Sequence, residues 1–314
     1  MRRCLTDVDP GALVLVGLSG GADSLALCAA VSFVAPRQGV AWGAVVVDHG
    51  LQPDSATVAE RAAEQARQLG AATVEVLEVR VAGPGGPEAA ARDARRRVLS
   101  EAAARHGAVA VLLAHTLHDQ AESVLLGLAR GSGPRSLAGM RDQEGLWRRP
   151  LLGLESARTR TVCEQLGLTW WTDPHNADDS FARVRVRRHV LPELERQLGP
   201  GVAAALARTA ELLRDDADLL DEQAAELAGK ATDAAGRIDV RVLADAPAAL
   251  RSRVLRAAAI AAGCPPTDLT SGHVRAVDRL VTDWRGQAGL DLPGDVVASR
   301  AGDTIGLARR GVGG

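Results

Sequence analysis

Four consecutive apolar residues, Leu13-Val14-Leu15-Val16, run into Ser19-Gly20-Gly21-Ala22-Asp23-Ser24 and then into a helix-compatible stretch reaching Val34. A short apolar run of this length suits a strand buried on both faces, and such strands belong to parallel sheets covered by helices. Glycines at the strand's end let the backbone approach a ligand with no side chain in the way. The helix that follows, from about Asp23, presents its first free N–H groups and its positive dipole end to that ligand. The feature asks for an α/β fold that holds an anion at the end of its first strand.

The chain continues in the same alternation. Strand patterns over Leu13–Gly17, Trp42–Val47, Thr73–Val79 and Val109–Ala114 are separated by helical patterns over about Ser55–Leu69 and Glu88–His106. This predicts a doubly wound, mostly parallel sheet of Rossmann-like type, with ligands beyond the carboxyl ends of the strands. Two Gly/Pro-rich stretches, 82–87 and 131–134, read as surface loops. Beyond Pro192 the texture becomes Ala/Leu/Arg helices: one long helix from Val202 through Leu227, others over Ala246–Ala262 and Ser271–Asp283, then a strand pair over Val296–Arg300 and Thr304–Leu307. The reading is a catalytic domain over residues 1–195 and a smaller, mainly helical domain over 196–314.

Composition narrows the class. With 314 residues, 46% of them hydrophobic, the chain has enough apolar material for two cores. No apolar segment is long enough to span a membrane and the N-terminus has no apolar signal core, which points to the cytoplasm. Cys4, Cys28, Cys163 and Cys264 are scattered with no Cys-x-x-Cys pair, as in a protein with reduced thiols. The net charge of −2 does not announce a nucleic-acid binder, but arginines cluster at Arg95–Arg97, Arg148–Arg149 and alternately over Arg183–Arg188. Guanidinium forks suit phosphate oxygens of a nucleotide or of RNA.

The glycine loop lacks the lysine of a Walker A loop, and Lys230 is the only lysine in the chain. Backbone amides, the hydroxyls of Ser19 and Ser24, and an acid at Asp23 suit a pyrophosphate accompanied by Mg²⁺, which Asp23 would hold. Val47, Asp48 and His49, at the end of the second strand, stand where an adenine and ribose would lie. His115, Asp119 and Glu122 fall at i, i+4 and i+7 on one helical face. They can contact a nucleotide, hold a metal, act as acid or base, or bind a cationic substrate. With His118 they match no zinc spacing.

Ser-Gly-Gly-x-Asp-Ser resembles the PP-loop of the N-type ATP pyrophosphatases, which split ATP between the α and β phosphates. Several further stretches together resemble the bacterial tRNA-Ile lysidine synthetases: 47–55, 88–92, His115–Ser123, Arg130-Gly131-Ser132-Gly133, Arg149-Pro150-Leu151-Leu152, Trp171–Asn176, and Phe181–His189 with Leu191-Pro192. The resemblance covers nearly the whole first domain in order. It departs at His118, where the family usually has an acid, near Arg96, where an aromatic is usual, and at Val184, usually Asn.

That resemblance implies ATP and Mg²⁺ as cofactors and, as substrates, free L-lysine and tRNA-Ile with a CAU anticodon. The C2 oxygen of the wobble cytidine is adenylated with loss of pyrophosphate. The lysine ε-amine then attacks C2 and expels AMP, changing codon reading from AUG to AUA. It implies that Asp119 and Glu122 hold the lysine ammonium, and that Arg92 and Arg187 stabilise charge at the α-phosphate, with Arg185 an alternative. His115 joins Ser19–Ser24, Val47, Asp48 and His49 at the nucleotide, and the Arg183–Arg188 segment, the loop near Gly131 and the second domain contact the tRNA. The oligomeric state stays open, a homodimer included. A tRNA thiolase of the same superfamily is the rival enzyme, disfavoured by the lack of a paired Cys; a non-catalytic nucleotide-binding module is the other alternative.

Overall fold

The computed structural model describes residues 1–310 except 49, 51, 53, 80–86 and 132, and for 87–89 the backbone only. The chain forms two compact units, Met1–Ser132 with Ser136–Glu211, and Gly133–Arg135 with Leu212–Gly314. The sequence places the division at 195/196; the units divide inside a long helix, at 211/212.

Six strands build the first unit: β1 (Leu13–Leu18), β2 (Ala41–Asp48), β3 (Thr73–Glu78), β4 (Ala108–Leu112), β5 (Gln143–Glu144) and β6 (Trp147–Arg148). They form one sheet in the order β3-β2-β1-β4-β6-β5, all parallel except the β5–β6 edge pair. β1 lies in the middle, with Val14, Leu15 and Val16 wholly buried, which is why it reads as a continuous apolar run rather than an alternation. The chain moves from β1 outward to β2 and β3, then returns to β4 on the other side of β1. The strand order therefore reverses between β1 and β4, and a crevice opens there beyond their carboxyl ends.

Helices α1 (Ala22–Val34), α2 (Ser55–Gln68), α3 (Pro87–His106), α4 (Leu117–Ala129), the single turn α5 (Pro134–Leu137) and α6 (Ser156–Gln165) follow in chain order. α2 presents Ala59, Ala62, Ala63 and Ala66, one stripe at helical spacing, to the core beside Trp42 and Val46. α1 is apolar nearly all round because it is covered on more than one side; Leu25, Leu27, Cys28 and Val31 are all buried. α7 (Ala182–Arg185) runs through a π-helical turn (Val186–Val190) into α8 (Leu191–Leu198). Val186 and Leu191 from that run pack with Ala121 of α4.

The long helix α9 (Val202–Ala231) passes into the second unit, where α10 (Val240–Ala244), α11 (Ala248–Ala261) and α12 (Ser271–Thr282) surround a four-stranded antiparallel sheet. The expected pair, β9 (Val296–Ala301) and β10 (Thr304–Arg309), forms its centre, flanked by β7 (Ile238–Asp239) and β8 (Leu290–Leu292). Val274, Val277, Leu280 and Val281 of α12 pack on Ile305 and Ala298 in a separate core. Among the described residues, no helix is long and apolar enough to cross a membrane.

Candidate nucleotide and substrate cleft

The crevice between β1 and β4 is a cleft of about 950 Å³. Its floor is the loop that follows β1. Gly20 adopts φ +79°, a conformation that L side chains rarely take, and an added Cβ there would lie 3.4 Å from Ala62. The Ser24 hydroxyl donates to the Gly21 carbonyl (2.9 Å) and accepts from the Ser19 N–H (3.2 Å), so the loop is cross-tied by its own serines. α1 begins with no side-chain cap, and its first intrahelical bond is Leu25 N–H to the Gly21 carbonyl, 3.1 Å. The amides of Ala22, Asp23 and Ser24 are therefore left for an anion.

A segment that sequence reasoning gave no role completes one wall. Trp170, Trp171, Thr172, Asp173, His175 and Asn176 line the cleft. The Trp171 N–H donates to the Gly20 carbonyl at 2.9 Å, and Gln65 of α2 brackets Thr169 with two hydrogen bonds, each 2.9 Å. Asp48, buried at the end of β2, caps the Gly50 N–H at 2.9 Å and lines the cleft with Val47. His49 lies outside the described residues.

α4 supplies the opposite wall. Thr116 is its N-cap, and Asp119 closes a capping box by accepting the Thr116 N–H (2.8 Å) and hydroxyl (3.0 Å) on Oδ2. Its Oδ1 accepts Arg187 Nη2 at 3.0 Å. Burial opposes the Asp119 charge, but the Thr116 amide, Arg187 and His115 outweigh it and hold the carboxyl below its ordinary pKa. His115 also lines the cleft; burial, opposed by Asp119 and assisted by the neighbouring arginines, leaves its pKa at about 4, so its imidazole is neutral at pH 7. The Nδ1 atoms of His115 and His118 are buried with no hydrogen-bond partner among the described residues, and both residues line the cleft.

Glu122 is placed differently from its sequence reading. It is wholly buried, does not line the cleft, and is roofed by arginines from α7 and the π-helical turn. Arg183 Nε donates to Oε2 at 2.9 Å, Arg187 Nε to Oε1 at 2.6 Å and Arg187 Nη2 to Oε2 at 3.0 Å. Both carboxylate oxygens are thus occupied, and Glu122 anchors two cleft arginines instead of facing a substrate. The side chains of Arg183 and Arg187 retain 26% and 40% exposure, which keeps part of each guanidinium accessible from the cleft.

The other arginines sort themselves by their partners. Arg92 is exposed on α3 and does not line the cleft; Arg95, three residues on, does. Arg160 of α6 also lines it, and neither Arg95 nor Arg160 makes a hydrogen bond or ion pair with the described residues. Arg185 donates to the carbonyls of Asp179 (2.7 Å) and Ser180 (2.8 Å), and Arg188 to that of Ala177 (2.7 Å), so they brace a loop. Arg148 is buried against Asp7, and Arg149 against the Arg141 carbonyl (2.7 Å), which makes both structural.

Asp23, in the first turn of α1, faces the cleft. Its Oδ1 is in short contact with the Thr159 hydroxyl, and its Oδ2 takes no hydrogen bond from the described residues. Burial, opposed by Thr159 and assisted by Asp119, raises its pKa. Among the described residues no three His, Cys, Asp or Glu side chains form a metal cage. The unbonded Oδ2 of Asp23 suits Mg²⁺, which is commonly held by one or two carboxylates with phosphates and waters. All four cysteines are free thiols and none lines the cleft; burial pushes Cys28 up to about 12 and Cys163 up to about 11.

Comparison with known proteins agrees with this fold. A PP-loop domain model matches residues 2–194, and a model described as the TilS substrate binding domain matches 222–305. The tRNA(Ile)-lysidine synthase of Leifsonia xyli is 56% identical over 93% of this chain and 89% of its own length. That of Thermobifida fusca is 53% identical over 94% and 91%, and that of Mycobacterium tuberculosis 53% over 88% and 83%. A solved U34-tRNA thiolase from Methanococcus maripaludis, with its 4Fe-4S cluster, superposes with a TM-score of 0.58 at 18% identity, over 68% of this chain and 77% of its own, a likeness of fold alone. With relatives this similar along nearly its whole length, the chain belongs to the tRNA(Ile)-lysidine synthase family.

Proposed function

We propose that this chain joins free lysine to C2 of the wobble cytidine of a tRNA-Ile bearing a CAU anticodon, using ATP and releasing AMP and pyrophosphate. The observation that carries the reading is one cleft in which the uncapped start of α1 faces the ionised Asp119. Amides of Ala22–Ser24 receive the phosphates, and Arg95 and Arg160, which make no hydrogen bond or ion pair with the described residues, supply positive charge to them. Asp23 would hold Mg²⁺ through its unbonded oxygen, and the ion, when bound, neutralises charge on the leaving pyrophosphate. Val47 and Asp48 lie where the adenosine would be held.

The first step joins the cytidine C2 oxygen to the α-phosphorus and breaks its bond to the bridging oxygen. The lysine nitrogen then bonds to C2, and AMP leaves with the former C2 oxygen. Asp119 attracts the lysine ammonium. Its depressed pKa suits it to holding that cation, not to keeping the proton the amine must lose before attack. Glu122 contributes by fixing Arg183 and Arg187, which face the same cleft and fit the α-phosphate or the RNA backbone. The second unit, which matches the substrate-binding model, is the further tRNA contact.

The test is a reaction of purified protein with Mg-ATP, labelled lysine and unmodified tRNA carrying the CAU anticodon. Lysine incorporation with one pyrophosphate per lysine is expected. Pyrophosphate release that depends on a sulfur donor and not on lysine would point to the thiolase chemistry. Binding of ATP without turnover would reduce the chain to a nucleotide-binding module.

A further inference from the structure

Asp23 and Asp119 sit in the first turns of α1 and α4, face one cleft, and feel each other's charge. Two carboxylates that repel across a gap swing apart unless other groups restrain them. Both are restrained from α6. The buried Thr159 hydroxyl contacts Asp23 Oδ1 and lies 2.8 Å from the Ser156 carbonyl, so it links the Asp23 carboxyl to the backbone of α6. Three residues earlier on the same helical face, the Ser156 hydroxyl donates to Thr116 Oγ1 at 3.2 Å. Thr116 spends its own proton on Asp119 Oδ2, at 3.0 Å. The hydroxyls thus form a directional chain, Ser156 to Thr116 to Asp119, beside a single link from Thr159 to Asp23.

We propose that Ser156 and Thr159 are positioning residues which, from adjacent turns of α6, fix the separation of Asp23 and Asp119 and leave one oxygen of Asp23 turned to the cleft. The inference rests on reading Asp23 as the acid for Mg²⁺ and Asp119 as the acid for lysine. A helix core would not require hydroxyls at both positions, since Ala and Val fill such space. The placement ties the distance between the pyrophosphate end and the lysine end of the cleft to the rigid spacing of one helical turn. Hydrogen-bond partners behind a metal-holding carboxylate typically govern metal affinity by ~10–100-fold.

Calorimetric titration of the full chain with ATP, at a series of Mg²⁺ concentrations and without Mg²⁺, tests this. Thr159→Val is expected to raise the Mg²⁺ concentration for half-maximal tightening of ATP binding by about 10-fold or more. It should leave metal-free ATP binding unchanged, and Thr159→Ser should restore the wild-type dependence. Ser156→Ala is expected to raise the KM for lysine with the Mg²⁺ dependence intact. Thr159→Ala serves as a second hydroxyl-free variant should the valine disturb folding. Asp23→Asn, measured alongside, separates the two levels of argument. If it abolishes the Mg²⁺ dependence while the Thr159 variants behave as wild type, the positioning role is overturned; if Asp23→Asn itself has no effect, the reading of Asp23 falls and the inference falls with it.

Discussion

Replacing Glu122 by Gln should damage stability and chemistry together, and the pattern of damage distinguishes an anchor from a lysine ligand. The wild-type carboxylate is wholly buried and takes three hydrogen bonds, of 2.6, 2.9 and 3.0 Å, from Arg187 and Arg183. Removing one partner of a buried ion pair costs about 3–5 kcal/mol. The two arginines keep 26% and 40% of their exposure, so water recovers part of the loss and the low end, ~3 kcal/mol, is the expectation. For a domain of this size that corresponds to a fall of about 6–12 °C in the Tm of the transition belonging to the first unit. Differential scanning calorimetry reads the fall, and a pyrophosphate-release assay with tRNA reads the chemistry. The rate should drop at saturating lysine, because Arg183 and Arg187 lose their fixed orientation. A Tm shifted by less than about 2 °C, with a raised KM for lysine and unchanged kcat, would mean that Glu122 contacts the lysine directly and does not anchor the arginines.

Three other outcomes follow from the same geometry. Arg95→Ala should slow ATP-dependent pyrophosphate release by at least ~10-fold, the loss of one transition-state hydrogen bond to charge, while Arg92→Ala changes it little; equal effects in steady-state kinetics would contradict the placement of Arg95. His115, depressed to about 4 from its ordinary value of 6.5, binds fewer protons folded than unfolded between those values, so stability it contributes above about pH 6.5 is lost as pH falls toward 4. Denaturant midpoints measured from pH 7 to pH 4 should therefore decline less steeply in His115→Gln than in the wild type. Cys28 and Cys163, buried with pKa values pushed up to about 12 and 11, should resist maleimide labelling until the chain unfolds, and Cys163→Ala should retain turnover, which a catalytic cysteine would not.

Much of the fold was legible because buried parallel strands announce themselves as short apolar runs. The run ending at Gly17 extends by one residue to Leu18, and the long helix predicted from Val202 through Leu227 continues to Ala231. β5 and β6, two residues each about the turn at Gly145, carry no periodicity and exist only because Trp147 and Arg148 pair with β4. At the site, the phosphate loop was readable from glycine and strand context alone. The pairing of arginines was not, since Arg92 and Arg95 differ by less than a turn and only packing against the sheet decides which enters the cleft. His115 precedes the Thr116 cap and so lies outside α4, which breaks the single helical face that the spacing of His115, Asp119 and Glu122 predicts; Glu122 is instead roofed by Arg187, 65 residues on, from the π-helical turn. The wall from Trp170 to Asn176 has no regular period at all; its place is set by Gln65 and Gly20, distant partners that no local pattern reveals.

In the proposed reaction ATP activates the cytidine C2 oxygen, and the fate of that oxygen can be followed directly. A tRNA-Ile with the CAU anticodon is prepared with ¹⁸O at C2 of the wobble cytidine and turned over once with Mg-ATP and lysine. Mass spectrometry of the nucleotide products should find the label in AMP and a lysine on the cytidine. Unlabelled AMP, or formation of ADP and phosphate in place of AMP and pyrophosphate, would contradict it.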